Sequence, residues 1–177
     1  MKNKKEQFTR ASKLLIYLLA MQSALEPVFW SPYKWRNKIM FGVEYNDCYK
    51  TLYYLYKKGW ITTVREKDQN FLHLTDKGQL QALVTKAQIP IQGTWDGFWR
   101  MIIFDIPERS ADKRDFFRNL LKKNNFYKLQ ASVYINPYPL NQEAVEYLKI
   151  TGLINYIRII KICSMDDDSI LRKRFQI

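Results

Sequence analysis

The spacing of apolar residues changes near the midpoint of the chain, and no single helical or β architecture accommodates both halves. Up to about residue 86 the apolar positions mostly recur at helical spacing. From Trp99 onward, short β-branched and aromatic runs alternate with amphipathic stretches. Between them lies Ala87 to Gly97, which holds Pro90, Gly93 and Gly97 and has no periodicity. Such a segment reads as a connector. The expected organisation is therefore one domain over 1–88, a linker over 89–97 and a second domain over 98–177. A chain of 177 residues is long enough for two small domains.

In the first half, Leu14, Leu15, Leu18 and Leu19 predict a helix from Thr9 to Ala24, capped by Thr9 or Ser12. Lys2, Lys4 and Lys5 precede it, but its apolar run is too short to span a bilayer and no small-residue cleavage site follows. Pro27 and Pro32 bound an expected loop, Glu26 to Ser31. Ser31 and Pro32 then suit the first positions of a second helix reaching Met40. A third helix is expected over Glu44 to Lys58, its apolar stripe made by Tyr45, Cys48, Tyr49, Leu52, Leu55 and Tyr56. Gly59 stands where a C-cap glycine belongs. Residues 61–65 and 70–74 read as a hairpin, and Thr75 caps a last helix over Asp76 to Lys86. That order is the order of a winged helix-turn-helix.

In the second half, Trp99 to Asp105 reads as a strand and Ser110 to Asn124 as a helix. Phe126 to Asn136 is expected as one strand, Asn141 to Thr151 as a helix and Ile154 to Cys163 as a strand. This is a βαβαβ order, which within an α+β class predicts a ferredoxin-like domain. Ile170 to Ile177 is the candidate for a fourth strand.

Composition narrows the function. Lysine and arginine total 29 against 17 acidic residues, a formal charge of +12. Such an excess favours polyanionic partners. Apolar residues make up 47% and aromatic residues 15%, too many for a disordered chain. The two cysteines, Cys48 and Cys163, have no CxxC spacing. A disulfide framework or a zinc site is not expected, and a cytoplasmic location is. No membrane partner is expected.

On the third helix, Asn46, Lys50, Tyr53 and Lys57 share one face, with Tyr54 beside them. A helix that enters the major groove needs polar and cationic side chains on one face. Lys58 and Arg65 would add phosphate contacts from the helix end and the wing. Asp47 is expected toward the core or a flanking helix. His73 alternates with Leu72 and Leu74 and belongs on the exposed face of the wing, without a ligand role. The expected partner is double-stranded DNA.

Several strings carry a resemblance. Tyr56-Lys-Lys-Gly-Trp-Ile61 is similar to the helix, glycine, first-wing-strand junction of winged-helix repressors. Leu72-His-Leu-Thr-Asp-Lys-Gly78 is similar to the start of their final helix. Trp95-Asp-Gly-Phe-Trp-Arg-Met-Ile-Ile-Phe-Asp-Ile-Pro107 resembles the opening of the central domain of the PaaX family, repressors of phenylacetate degradation. The likeness continues through Lys113-Arg114-Asp115, Phe117, Leu120 to Lys123 and Leu129 to Tyr134. It also takes in Phe41-Gly42-Val43 and Gly59-Trp60. The central domain of that family resembles CRISPR-associated protein 2.

The resemblance implies a transcriptional regulator, most simply a repressor. It would pair two copies through the second domain and read two half-sites with the winged helices. The chain is expected to lack the further C-terminal domain of that family, and it departs from the family glycine at Asn125-Phe126. No small-molecule effector is assigned.

The same likeness raises an alternative: a metal-dependent nuclease or a scaffold for CRISPR spacer acquisition. Asp105 would then be the catalytic residue and the Mg²⁺ ligand, shared across a dimer. Otherwise Asp105 is a strand-end carboxylate and no cofactor is expected. Asp166-Asp167-Asp168 reads as a solvated turn. A further alternative is an RNA-binding module, with Trp99, Tyr127 and Tyr134 as stacking residues.

Overall fold

The computed structural model describes residues 9–23, 28–30, 45–66 and 68–177, with the backbone alone for 22, 23, 28–30 and 45–48. The chain divides into two compact units, Met1–Thr85 and Lys86–Ile177. Each has its own sheet, and the described residues form a mixed α+β protein with six α-helices. The expected helix over Pro32 to Met40 lies outside the described residues.

In the first unit, α1 (Arg10–Ser23) starts where the Ser12 amide donates to Thr9 Oγ1 at 3.2 Å. Thr9 is thus the N-cap. Leu14, Leu15 and Leu18 of α1 are buried against Leu52 and Leu55 of α2 (Tyr45–Lys57). Strand β1 (Val28–Trp30) falls within the stretch expected as loop. Three residues of high β-propensity suffice there because β3 offers them an edge to pair with.

Helix α2 ends in a Schellman motif. The Gly59 amide donates to the Tyr56 carbonyl at 2.9 Å and the Trp60 amide to the Leu55 carbonyl at 3.0 Å. Gly59 takes a φ of +67°, as expected of its place in the sequence. Strands β2 (Ile61–Glu66) and β3 (Gln69–Leu74) form the expected hairpin, in register from Ile61 opposite Leu74 to Glu66 opposite Gln69. The sheet order is β1-β3-β2. Helix α3 (Asp76–Ala87) follows.

The second unit runs β4 (Trp99–Phe104), α4 (Ala111–Lys123), β5 (Tyr127–Gln130), β6 (Val133–Asn136), α5 (Gln142–Ile150), β7 (Ile157–Ile162) and α6 (Ser169–Phe175). Its four antiparallel strands lie in the order β5-β6-β4-β7. Two expectations are corrected here. Phe126 to Asn136 is a hairpin rather than one strand, so the order is βαββαβ in place of βαβαβ. The turn at Ala131-Ser132 carries no glycine, proline or asparagine, and an irregular register between Lys128 and Gln130 accommodates it. Ile170 to Ile177 belongs mainly to α6, not to a strand. Leu171 and Phe175 stand four residues apart and pack with Trp99 and Ile135, while Arg172 bonds to Asp168 one turn back.

Strand β4 divides the core of this unit by alternation. Ile102 and Phe104 join Phe117, Leu121, Ala144 and Leu148 on the side of α4 and α5. Trp99 and Met101 join Ile135 and α6 on the other side. The α4–β5 junction turns at Asn125-Phe126 without a glycine. Asn125 has a φ of +62°, and the Phe126 amide donates to the Leu121 carbonyl at 2.9 Å. Asparagine is among the few non-glycine residues that enter this region readily. Asn125→Val is expected to cost about 1–2 kcal/mol, while Asn125→Gly leaves stability within about 1 kcal/mol of wild type. Urea midpoints of the three proteins check the ranking.

Candidate nucleic-acid interface

The site begins with what α2 leaves uncovered. Leu52 and Leu55 are buried, and the opposite face points to solvent. That face carries Lys50, Tyr53, Tyr54 and Lys57, all exposed, as expected from the spacing. Asn46 lies in α2, but its side chain lies outside the described residues, as does that of Asp47.

Two tyrosines are corrected. Tyr49 and Tyr56, expected in the buried stripe, are 56% and 57% exposed. They stand four residues before and three after Tyr53, so all three line one flank of the helix. With Leu52, Ile61, Thr63 and Leu72 they border an apolar groove of about 170 Å³ between α2 and β2. The signal was present in the sequence: two leucines already fill the side that α1 covers, which leaves tyrosine, with its polar tip, at the rim.

Two of the cations here lie against aromatic rings. Lys57 Nζ lies 5.4 Å from the centre of the Tyr53 ring, and Lys58 Nζ lies 5.6 Å from that of Tyr54. Attraction to the ring face orients an ammonium and leaves its donors available. Among the described residues no carboxylate pairs with Lys50, Lys57 or Lys58. Arg65 differs: it pairs with Asp68 across the β2–β3 turn at 2.9 Å. Both partners are highly exposed, so the pair is worth only about 0–1 kcal/mol and yields easily to a phosphate. His73, expected exposed, is half-buried.

A small set of contacts fixes α2 relative to the β2–β3 hairpin and α3. The Thr75 hydroxyl accepts from the Gly78 amide at 3.1 Å and donates to the Gly59 carbonyl at 2.6 Å. Thr75 is thus the expected cap of α3. A Cβ on Gly78 would lie 1.8 Å from the Trp60 carbonyl oxygen, so only glycine lets the first turn of α3 sit against that junction. The string Leu-Thr-Asp-Lys-Gly therefore encodes one close backbone approach.

In the second unit the string beginning at Trp95 has a structural role. Arg100 forks onto both Asp96 carboxylate oxygens at 2.5 Å and also bonds to the Phe98 and Pro137 carbonyls. The Arg100 guanidinium holds the Asp96 carboxyl well below the usual carboxylate range. Stability from this pair is present above the unfolded value of the aspartate and is lost as pH falls toward the folded one. Asp96→Asn is expected to flatten the fall of the urea midpoint below about pH 4.

Asp105 is exposed just beyond β4, and its amide donates to the Tyr156 carbonyl at 2.9 Å. Among the described residues no group of three or more His, Cys, Asp or Glu is placed to hold a metal. Asp168 is engaged by Trp99 Nε1 at 3.0 Å and Arg172 Nε at 2.7 Å, and Asp167 accepts from the Ser169 amide. Of the three residues considered for stacking, Trp99 and Tyr134 are 2% and 1% exposed. They are core residues, unable to receive a base. Tyr127 is half-buried and lies beneath the Arg174 guanidinium at 4.3 Å.

The structure thus defines an α+β protein with a basic, tyrosine-rich helix in one unit and a four-stranded antiparallel sheet in the other. Residues 92–169, most of the second unit, match the family model described as PaaX protein central Cas2-like domain. No curated protein matches the chain. Among the described residues, no helix is long and apolar enough to cross a membrane.

Proposed function

We propose that this chain is a PaaX-like DNA-binding regulator, acting as a repressor, with a winged helix-turn-helix in its first unit and a ferredoxin-like second unit. The observation that carries the reading is the solvent face of α2. Lysines without carboxylate partners among the described residues alternate there with exposed tyrosines, and the β2–β3 hairpin that follows presents Arg65. A face of that composition suits phosphate and base-edge contacts in a major groove. The βαββαβ order and the strand order of the second unit support the ferredoxin-like part.

The second unit joins two copies in this reading. Ile103, Ile159 and Ile160 on β4 and β7 are 38–46% exposed. Among the described residues β7 pairs with β4 alone, which leaves an apolar edge that a partner would cover. A two-fold pair presents two reading helices to two half-sites, and occupation of the operator blocks transcription.

The test is a gel-shift titration with genomic fragments at physiological salt, in excess competitor DNA. A regulator retains some fragments at least about 1000-fold more tightly than competitor. Uniform affinity for every fragment refutes the reading.

A further inference from the structure

We infer that a cavity within the second unit is a binding site for a small organic anion. The cavity is about 640 Å³ and is formed by the ends of α4, β6 and α6 with the stretch around Gln92. That volume is in the range of small-molecule sites. Two cations line it, Lys122 from the last turn of α4 and Arg174 from the last turn of α6. No carboxylate does.

Several cations of this unit meet an acid: Lys86 meets Glu143, Arg100 meets Asp96, Arg118 meets Asp115 and Arg172 meets Asp168. Lys122 and Arg174 have no ion pair among the described residues. Favourable ends of helix dipoles account for basic residues in last turns, at a few tenths of a kcal/mol each. They do not account for a concave wall that carries two cations and no counter-charge.

The geometry suits an anion with several oxygens. Arg174 is stacked over Tyr127, which fixes the guanidinium plane and leaves its edge donors free for a bidentate acceptor. The Asn136 side chain is already committed, donating to the Asn124 carbonyl at 2.7 Å and accepting from the Tyr138 amide at 2.9 Å. Gln92 and Asn125 line the same cavity and are the residues able to supply neutral donors. Asn125 is held at the rim by its left-handed backbone. Phe126 and Phe175 form the apolar part of the wall, so the ligand carries a phosphate or carboxylate on an organic body.

Calorimetric titration of the full chain with pyrophosphate, with AMP and with succinate tests this and separates the phosphate source from the carboxylate source. Saturable binding of at least one probe is expected. Lys122→Gln with Arg174→Gln should weaken it at least about tenfold, and Arg174→Lys less, because the charge remains while the fork does not. The melting temperature of each variant without ligand reports its folding. A Lys113→Gln variant removes a cation of α4 that does not line the cavity and should keep the binding. The inference fails if no probe saturates up to about 10 mM. It also fails if the double variant, still folded, binds as tightly as wild type. Loss of duplex-DNA affinity with unchanged probe binding assigns the two cations to nucleic acid instead, and likewise overturns it.

Discussion

Gly78→Ala is expected to destabilise the first unit by about 3 kcal/mol or more, among the larger effects a single added methyl produces. The new Cβ would fall 1.8 Å from the Trp60 carbonyl oxygen and 2.7 Å from its carbon, both backbone atoms. No rotamer change relieves such a clash, so either α3 moves out or the α2–β2 junction shifts. Both routes strain the bonds of Thr75 to Gly59 and of the Thr75 amide to Trp60. A fall of about 10 °C or more in the melting temperature of this unit is expected. Gly93→Ala is the control: nothing lies within 4 Å of its Cβ, and its stability should stay within about 0.5 kcal/mol of wild type. A Gly78→Ala protein as stable as the control would refute the close approach. Loss of DNA binding should accompany the loss of stability, since the same junction aims α2.

Replacing both Lys50 and Lys57 with alanine is expected to weaken DNA binding by on the order of ten- to a hundred-fold at physiological salt, across all sequences alike. The slope of log affinity against log salt should fall by about two, one for each phosphate that a lysine no longer neutralises. Folding should be unaffected, because both side chains are exposed and meet no carboxylate among the described residues. Fluorescence anisotropy at several salt concentrations, beside melting curves, measures both quantities. Tyr53→Phe retains the ring that holds the Lys57 ammonium, whereas Tyr53→Ala removes it. A loss confined to the alanine variant points to the ring, and an equal loss in both points to the hydroxyl. Unchanged affinity in the double lysine variant would remove α2 as the reading helix.

Much of this fold was legible in local signals. Gly59 marked the end of α2 because a left-handed residue must stand there. Thr75 marked the start of α3 because its hydroxyl satisfies the amide of Gly78. The stripe on α1 and the apolar run of β4 placed their elements before any long-range packing was known. The errors also have local causes. Tyr49 and Tyr56 look apolar to a periodicity count, but tyrosine is as suited to a rim as to a core. The β5–β6 turn has none of the residues that announce a hairpin. In the last element the run of β-branched and basic residues hid the i, i+4 pair of Leu171 and Phe175.

The sequence by itself determined the cationic face of α2 and the reason for Gly59, since each depends on residues within a few turns of one another. Only the tertiary structure decided that Gly78 meets the Trp60 carbonyl, that α6 is a helix covering Trp99, and that Lys122 and Arg174 share one cavity. These are meetings of residues 18 to 76 positions apart. Local propensity and spacing carry no record of such distances, because what brings the residues together is the burial of each core as a whole.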